Sequence, residues 1–214
     1  MTIESTPLPT VILQTGFSTR PHGSGQAGHA GIGTVPGVPS VPNEPQAEAF
    51  AREATAADAP AIHRLITANL QAGHLLPRSL ADVTVRASRF AVVVSGDGGL
   101  LACGELAPLN TSVAEVRSLV VREDARGRGL GHLIVEELRR RARAGRYRTL
   151  CAFTHDPRFF VRFGFSIVPH TWLPEKVAAD CWNCPLFQKC GQYAVVDTRL
   201  GRPIVPSPVK EHAS

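Results

Sequence analysis

Glu115-Val-Arg-Ser-Leu-Val-Val-Arg-Glu-Asp-Ala-Arg126-Gly-Arg-Gly-Leu-Gly131 decides the fold. Its first half, with β-branched Val116, Val120 and Val121, is a strand. Its second half is a glycine-punctuated turn followed at once by a helical apolar period. Gly127, Gly129 and Gly131 carry no Cβ, so backbone and ligand can approach closely there, and the first amides of the next helix have no internal partner. Those amides, the helix dipole and the charges of Arg126 and Arg128 favour an anion such as phosphate. No Lys-Ser or Lys-Thr follows the glycines, so this is not a P-loop. The spacing Arg126-x-x-Gly129-x-Gly131 also departs from the G-x-G-x-x-G of a dinucleotide fold.

Outward from that stretch, the elements alternate. Phe50 to Thr55 reads as a first strand, and Asp58 with Pro60 as the N-cap and first turn of a helix. Ile62, Leu65, Ile66 and Leu70 give that helix one apolar face, and Gly73 ends it. Ser79 caps a second helix running to Ser88. Phe90–Val94 and Leu100–Leu106 are strands joined by the hairpin signal Ser95-Gly-Asp-Gly-Gly, and the latter strand pairs with the central one across residues 108–112. Leu130, Leu133, Ile134, Leu138 and Ala142 form the buried stripe of a third helix closed by Gly145. Arg139, Arg140, Arg141 and Arg143 read as its solvated, dipole-favoured C-terminal cap. Strands at Tyr147–Phe153, Phe165–Val168 and Tyr193–Thr198, with a short helix at Asp156–Phe163, complete the domain. The order predicts an α/β (α+β) domain over residues 47–200, with one mixed, mostly antiparallel sheet flanked by helices. Residues 1–46, rich in Gly, Pro, Ser and Ala, and residues 201–214 read as disordered tails.

Composition restricts partners more than chemistry. A net charge of +5 suits an anionic ligand of any kind. The 6% aromatic content and the lack of an aromatic-interleaved basic stretch argue against nucleic acid. No apolar run reaches a membrane span, and the N-terminus lacks a signal-peptide pattern, so a cytoplasmic location is expected. A homodimer is admitted, and the residues do not decide it.

The loop spacing resembles the acyl-CoA pyrophosphate loop of the GNAT (Gcn5-related) N-acetyltransferases, and the element order fits that fold. Further segments resemble the acetyltransferase domain of N-acetylglutamate synthases in a short, single-domain form. They are Gly73-His-Leu-Leu-Pro-Arg78-Ser, Ala114-Glu-Val-Arg-Ser-Leu-Val-Val, Phe159-Phe-Val-Arg-Phe-Gly-Phe165 and Leu173-Pro-Glu-Lys-Val177. The resemblance implies acetyl-CoA as cosubstrate, held along Leu119, Val120, Val121, Arg126, Gly127, Arg128, Gly129, Leu130 and Gly131. It implies transfer to an amino acid, L-glutamate first, as in arginine biosynthesis.

Strand alternation places Glu115, Arg117, Leu119 and Val121 on one face. With the family's habit of a carboxylate at this point, Glu115 is the expected general base, direct or through water. The alternative is an internal pair with Arg117. Arg117 suits a substrate carboxylate, Arg78 matches an arginine that holds the α-carboxylate, and Lys189 falls where the synthases have an arginine. The oxyanion is expected on a backbone N–H near Val120 and Val121. Phe160 stands where many acetyltransferases have a tyrosine, leaving Thr154, His155 or water to protonate the thiolate.

Cys181-x-x-Cys184-x₅-Cys190 is spaced as one arm of a zinc site, with Cys103, Cys151 or His170 as conceivable fourth ligands. No metal is assigned. Two other readings stay open: an acetyltransferase for another small amine or a protein amine, and a non-catalytic CoA- or metal-binding module.

Overall fold

The computed structural model describes residues 49–70, 77–182, 184 and 189–200; both expected tails and the helix end at Gly73 lie outside them. Seven strands form one sheet in the order β1-β2-β3-β4-β5-β7-β6. These are β1 (Phe50–Glu53), β2 (Phe90–Val94), β3 (Leu100–Pro108), β4 (Val113–Val121), β5 (Thr149–Thr154), β6 (Phe165–Val168) and β7 (Tyr193–Asp197). Every neighbouring pair is antiparallel except β4 and β5, which run parallel. The expected mixed, mostly antiparallel sheet is therefore present.

The helices are α1 (Ala59–Ala68), α2 (Leu80–Val85), α3 (Leu130–Ala144) and α4 (Arg158–Arg162), followed by a single turn α5 (Pro174–Lys176). The chain continues from α5 as a π-turn over Val177–Cys181. Ser79 caps α2 as its sequence suggests, accepting from the Asp82 amide at 3.1 Å. Asp58 does not cap α1 with its side chain. Its carboxylate instead accepts from the Thr55 amide and hydroxyl and pairs with Arg52.

Each sheet face carries a different load. On one face, Leu130, Ile134, Val135 and Leu138 of α3, with Phe159 and Phe160 of α4, pack on Ala91, Val93, Val116, Leu119 and Leu150. Gly104 lets α3 close on β3: a Cβ there would lie 2.6 Å from Ile134 Cγ2. The opposite face holds two separate apolar clusters. In one, Ile62, Leu65, Ile66 and Val83 cover Phe90, Val92, Cys103 and Val120. The other gathers Val113, Cys151, Phe153, Leu173 and Ala194. Charged side chains occupy the space between them.

Two further expectations are corrected. The register of β3 and β4 slips between Cys103 and Glu105, and Ser118 takes φ 48°, so β4 carries one extra residue as a bulge. Alternation restarts after it: Leu119 and Val121 lie with the α3 cluster, not on the face of Glu115 and Arg117, and Val120 turns to the opposite cluster. The arginine run on α3 is not a solvated cap throughout. Arg139 is fully buried and paired with Asp197, and Arg141 donates to the Phe90 carbonyl at 2.9 Å, whereas Arg140 is exposed.

Candidate active site

Parallel pairing of β4 with β5 runs only from Val113↔Thr149 to Glu115↔Cys151. Beyond it β4 continues to Val121 and β5 to Thr154 without pairing to each other, so the two strands part. The free end of β4, at Val121, passes through one tight turn over Glu123–Ala125 into the glycine turn. Gly127 and Gly129 take φ 76° and 78°, values an L side chain reaches only with strain. The backbone ladder of α3 starts with the His132 and Leu133 amides bonding to the Gly129 carbonyl, so the amides of Leu130 and Gly131 stand ahead of it. Gly127, Arg128 and Gly129 are exposed and Leu130 is buried. Arg126 is fixed by the Asn69 side chain at 2.8 Å and the Val121 carbonyl at 3.4 Å. The turn thus presents backbone donors and the positive end of a 15-residue helix just beyond the free end of β4.

The charged cluster lies on the face opposite α3. Glu115, wholly buried, accepts from Arg117 Nε at 2.6 Å and from Lys176 Nζ at 2.9 Å on both oxygens. Arg117 Nη2 and Lys176 Nζ both donate to Asp180 Oδ2. Beside them Arg78 Nη2 pairs with Glu105 Oε2, and Nη1 donates to Asp82 at 3.0 Å. Glu105 is the register partner of Arg117 across β3 and β4. β3 and β4 present Glu105, Glu115 and Arg117 side by side, and Arg78 ahead of α2, Lys176 of α5 and Asp180 of the π-turn meet them from outside the sheet.

Glu115, Arg117 and Arg78 are therefore brought together, with Glu105, Lys176 and Asp180 added. The sequence reading missed those three roles. A charged residue inside the apolar run Leu100–Ala107, and a lysine between Leu173 and Val177, were the available signals. Thr154 is buried at the end of β5, its hydroxyl donating to the Asp156 carbonyl and accepting from the Asp156 amide, both at 3.1 Å. Lys189 is exposed.

The cysteines divide by environment. Cys190 is exposed, Cys181 and Cys184 half-buried, and Cys103 and Cys151 buried. Among the described residues no group of three or more His, Cys, Asp or Glu side chains is placed to hold a metal ion. Cys103 and Cys151 donate to the Ser118 and Ala114 carbonyls, and His170 contacts the Gln192 carbonyl at 2.8 Å. Burial pushes the Cys103 thiol up to about 12 and the Cys151 thiol well above its ordinary value. Of the five cysteines, no more than three are expected to react with a thiol reagent at mild alkaline pH, Cys190 first. The remaining two should appear only in denaturant; a fast native count above three would contradict this packing.

The sequence model of the GNAT acetyltransferase domain matches residues 86–167. An uncharacterized N-acetyltransferase of Chlorobaculum tepidum is 31% identical over 154 residues, 72% of this chain and 99% of that protein. An amino-acid acetyltransferase of Mycobacterium tuberculosis is 32% identical over 129 residues, 59% of this chain and 73% of that one. Among solved structures, the N-acetylglutamate synthase of Neisseria gonorrhoeae, complexed with coenzyme A and N-acetyl-glutamate, shares the fold. Its TM-score is 0.62 at 24% identity, over 71% of this chain and 35% of that one. The chain belongs to the GNAT acetyltransferase family. No helix among the described residues is long and apolar enough to cross a membrane.

Proposed function

We propose that this protein transfers the acetyl group of acetyl-CoA to the α-amine of a free amino acid, with L-glutamate the first acceptor to test. One juxtaposition carries the reading: β4 bears the buried Glu115–Arg117 pair where its pairing with β5 ends, and its far end feeds an exposed glycine turn ahead of α3. The turn would take the diphosphate of the donor, with Arg126 and Arg128 supplying charge. The thioester would lie along Leu119–Val121, its carbonyl oxygen on a strand amide near Val120 and Val121. Glu115 already receives three N–H contacts, so its part as base would run through a water rather than direct contact. Glu115 draws one proton from the acceptor ammonium through that water; the free amine then forms the C–N bond, the C–S bond breaks with its electrons passing to sulfur, and the second proton shed by the new amide nitrogen reaches the thiolate through Thr154 or water. The amino-acid acetyltransferase relative and the synthase resemblance support an amino acid as acceptor.

The test is release of free CoA thiol from acetyl-CoA against a panel of free amino acids. Gly129→Asp should raise the acetyl-CoA KM by about tenfold or more, since it adds left-handed strain of about 1–2 kcal/mol and a charge repelling phosphate. Arg126→Ala should act on the same constant, and Arg78→Ala on that of the acceptor. Turnover with peptide amines or polyamines but with no free amino acid would overturn the amino-acid reading.

A further inference from the structure

A guanidinium offers five N–H donors, and its Nη2/Nε edge matches the two oxygens of a carboxylate. In the Arg78–Glu105 pair only half of that fork is closed. Nη2 donates to Glu105 Oε2, whereas Arg78 Nε and Glu105 Oε1 are buried without a partner. Among the described residues one other buried side-chain atom is left this way, Asp180 Oδ1. A buried polar group without a partner costs about 1–3 kcal/mol. These three belong to one network: Asp180 bonds Arg117, and Arg117 is the register partner of Glu105.

The open valences are one donor and two acceptors, and they specify a ligand. The acceptors need N–H groups carrying positive charge, and the donor needs an anionic or carbonyl oxygen. The surrounding buried groups balance, with Arg78, Arg117 and Lys176 against Glu105, Glu115 and Asp180. A ligand whose own charges cancel at this point therefore leaves no buried charge unpaired. We infer that Glu105 and Asp180 read the α-ammonium of the acceptor, completing a zwitterion clamp with Arg78, whose open Nε faces the α-carboxylate that the resemblance already assigns to it. The inference rests on the amino-acid acetyltransferase reading and adds Glu105 as the residue that selects the cationic end. A simple amine leaves Arg78 Nε unanswered. An α-hydroxy acid brings one O–H where two carboxylate oxygens ask for ammonium protons.

The clamp is tested on the full chain with analogues of the best amino-acid acceptor. The α-hydroxy acid and the decarboxylated amine of the same skeleton should each compete at least about tenfold more weakly than the amino acid binds. Glu105→Gln should raise the acceptor KM by about tenfold or more, leave the acetyl-CoA KM unchanged and narrow the gap between amino and hydroxy acid. Equal competition by the hydroxy acid overturns the clamp. So does a Glu105→Gln variant whose melting temperature falls while its acceptor KM stays put, because the pair would then be structural with water in its open valences. If no amino acid is acetylated but other amines are, the parent reading fails separately. Calorimetry of the amino acid in the presence of CoA then decides: heat that Glu105→Gln abolishes sustains the clamp, and no heat from the native chain rejects it.

Discussion

Asp197→Ala is expected to lower unfolding free energy by about 3–5 kcal/mol, the scale of a buried ion pair broken from one side. In a domain of this size that corresponds to a fall in Tm on the order of 10 °C. The reason lies in Arg139, whose side chain is 0% exposed. Its Nε donates to Asp197 at the end of β7, Nη1 to Glu136 and Nη2 to the Phe163 carbonyl at 2.8 Å. The guanidinium carbon lies 5.6 Å from the Phe165 ring centroid. Without Asp197 the buried cation keeps only Glu136, whose side chain is 39% exposed and a poor counter-ion for a desolvated charge. Arg140→Ala, one position along, is the control. That side chain is 68% exposed and solvent screens its pair with Glu137, so the variant should unfold close to the parent. Combining Asp197→Ala with Arg139→Met should recover part of the loss, because the stranded charge goes too. Denaturant unfolding measures all three, and equal effects of Asp197→Ala and Arg140→Ala would refute the burial argument.

The same helix shows where sequence reading stops. Its apolar stripe and its closing Gly145 are local features that periodicity finds, except that Leu133, read into the buried stripe, is 39% exposed and Val135 takes a buried place instead. Four arginines in five positions look alike in the chain, yet one is enclosed because β7 returns Asp197 beside it from 58 residues away. The central strand behaves similarly. Val116, Val120 and Val121 announce a strand, but nothing about a serine announces the φ of 48° at Ser118 that turns Leu119 and Val121 to the other face. The glycine turn was legible because its left-handed glycines and the helix start that follows are set by consecutive residues. The charged cluster was legible only by half: Glu115 and Arg117 sit on one strand, while Lys176 and Asp180 arrive from 61 and 63 residues on. Such pairings follow from topology, which local patterning does not encode.

Lys176→Met should be as damaging as loss of Asp197, about 3–5 kcal/mol, for a related but distinguishable reason. Lys176 is 1% exposed, with Nζ 2.9 Å from both Glu115 oxygens, 2.7 Å from Asp180 Oδ2 and 5.2 Å from the Phe153 ring centroid. Methionine fills nearly the same volume, so the expected loss is electrostatic and not a cavity. Two buried carboxylates would be left to share Arg117, and the turn that carries Asp180 would lose its tie to β4. Pairing Lys176→Met with Asp180→Asn returns the cluster to one Arg117–Glu115 pair and should restore part of the stability. The kinetic consequence follows from position. The turn at residues 126–131 belongs to α3, on the other side of the sheet, so the acetyl-CoA KM of Lys176→Met should stay near the parent value while acceptor turnover falls. Parent-like melting of Lys176→Met would mean that the lysine charge does not neutralise Glu115 and Asp180. A rise confined to the acetyl-CoA KM would mean that the cluster serves the donor rather than the acceptor.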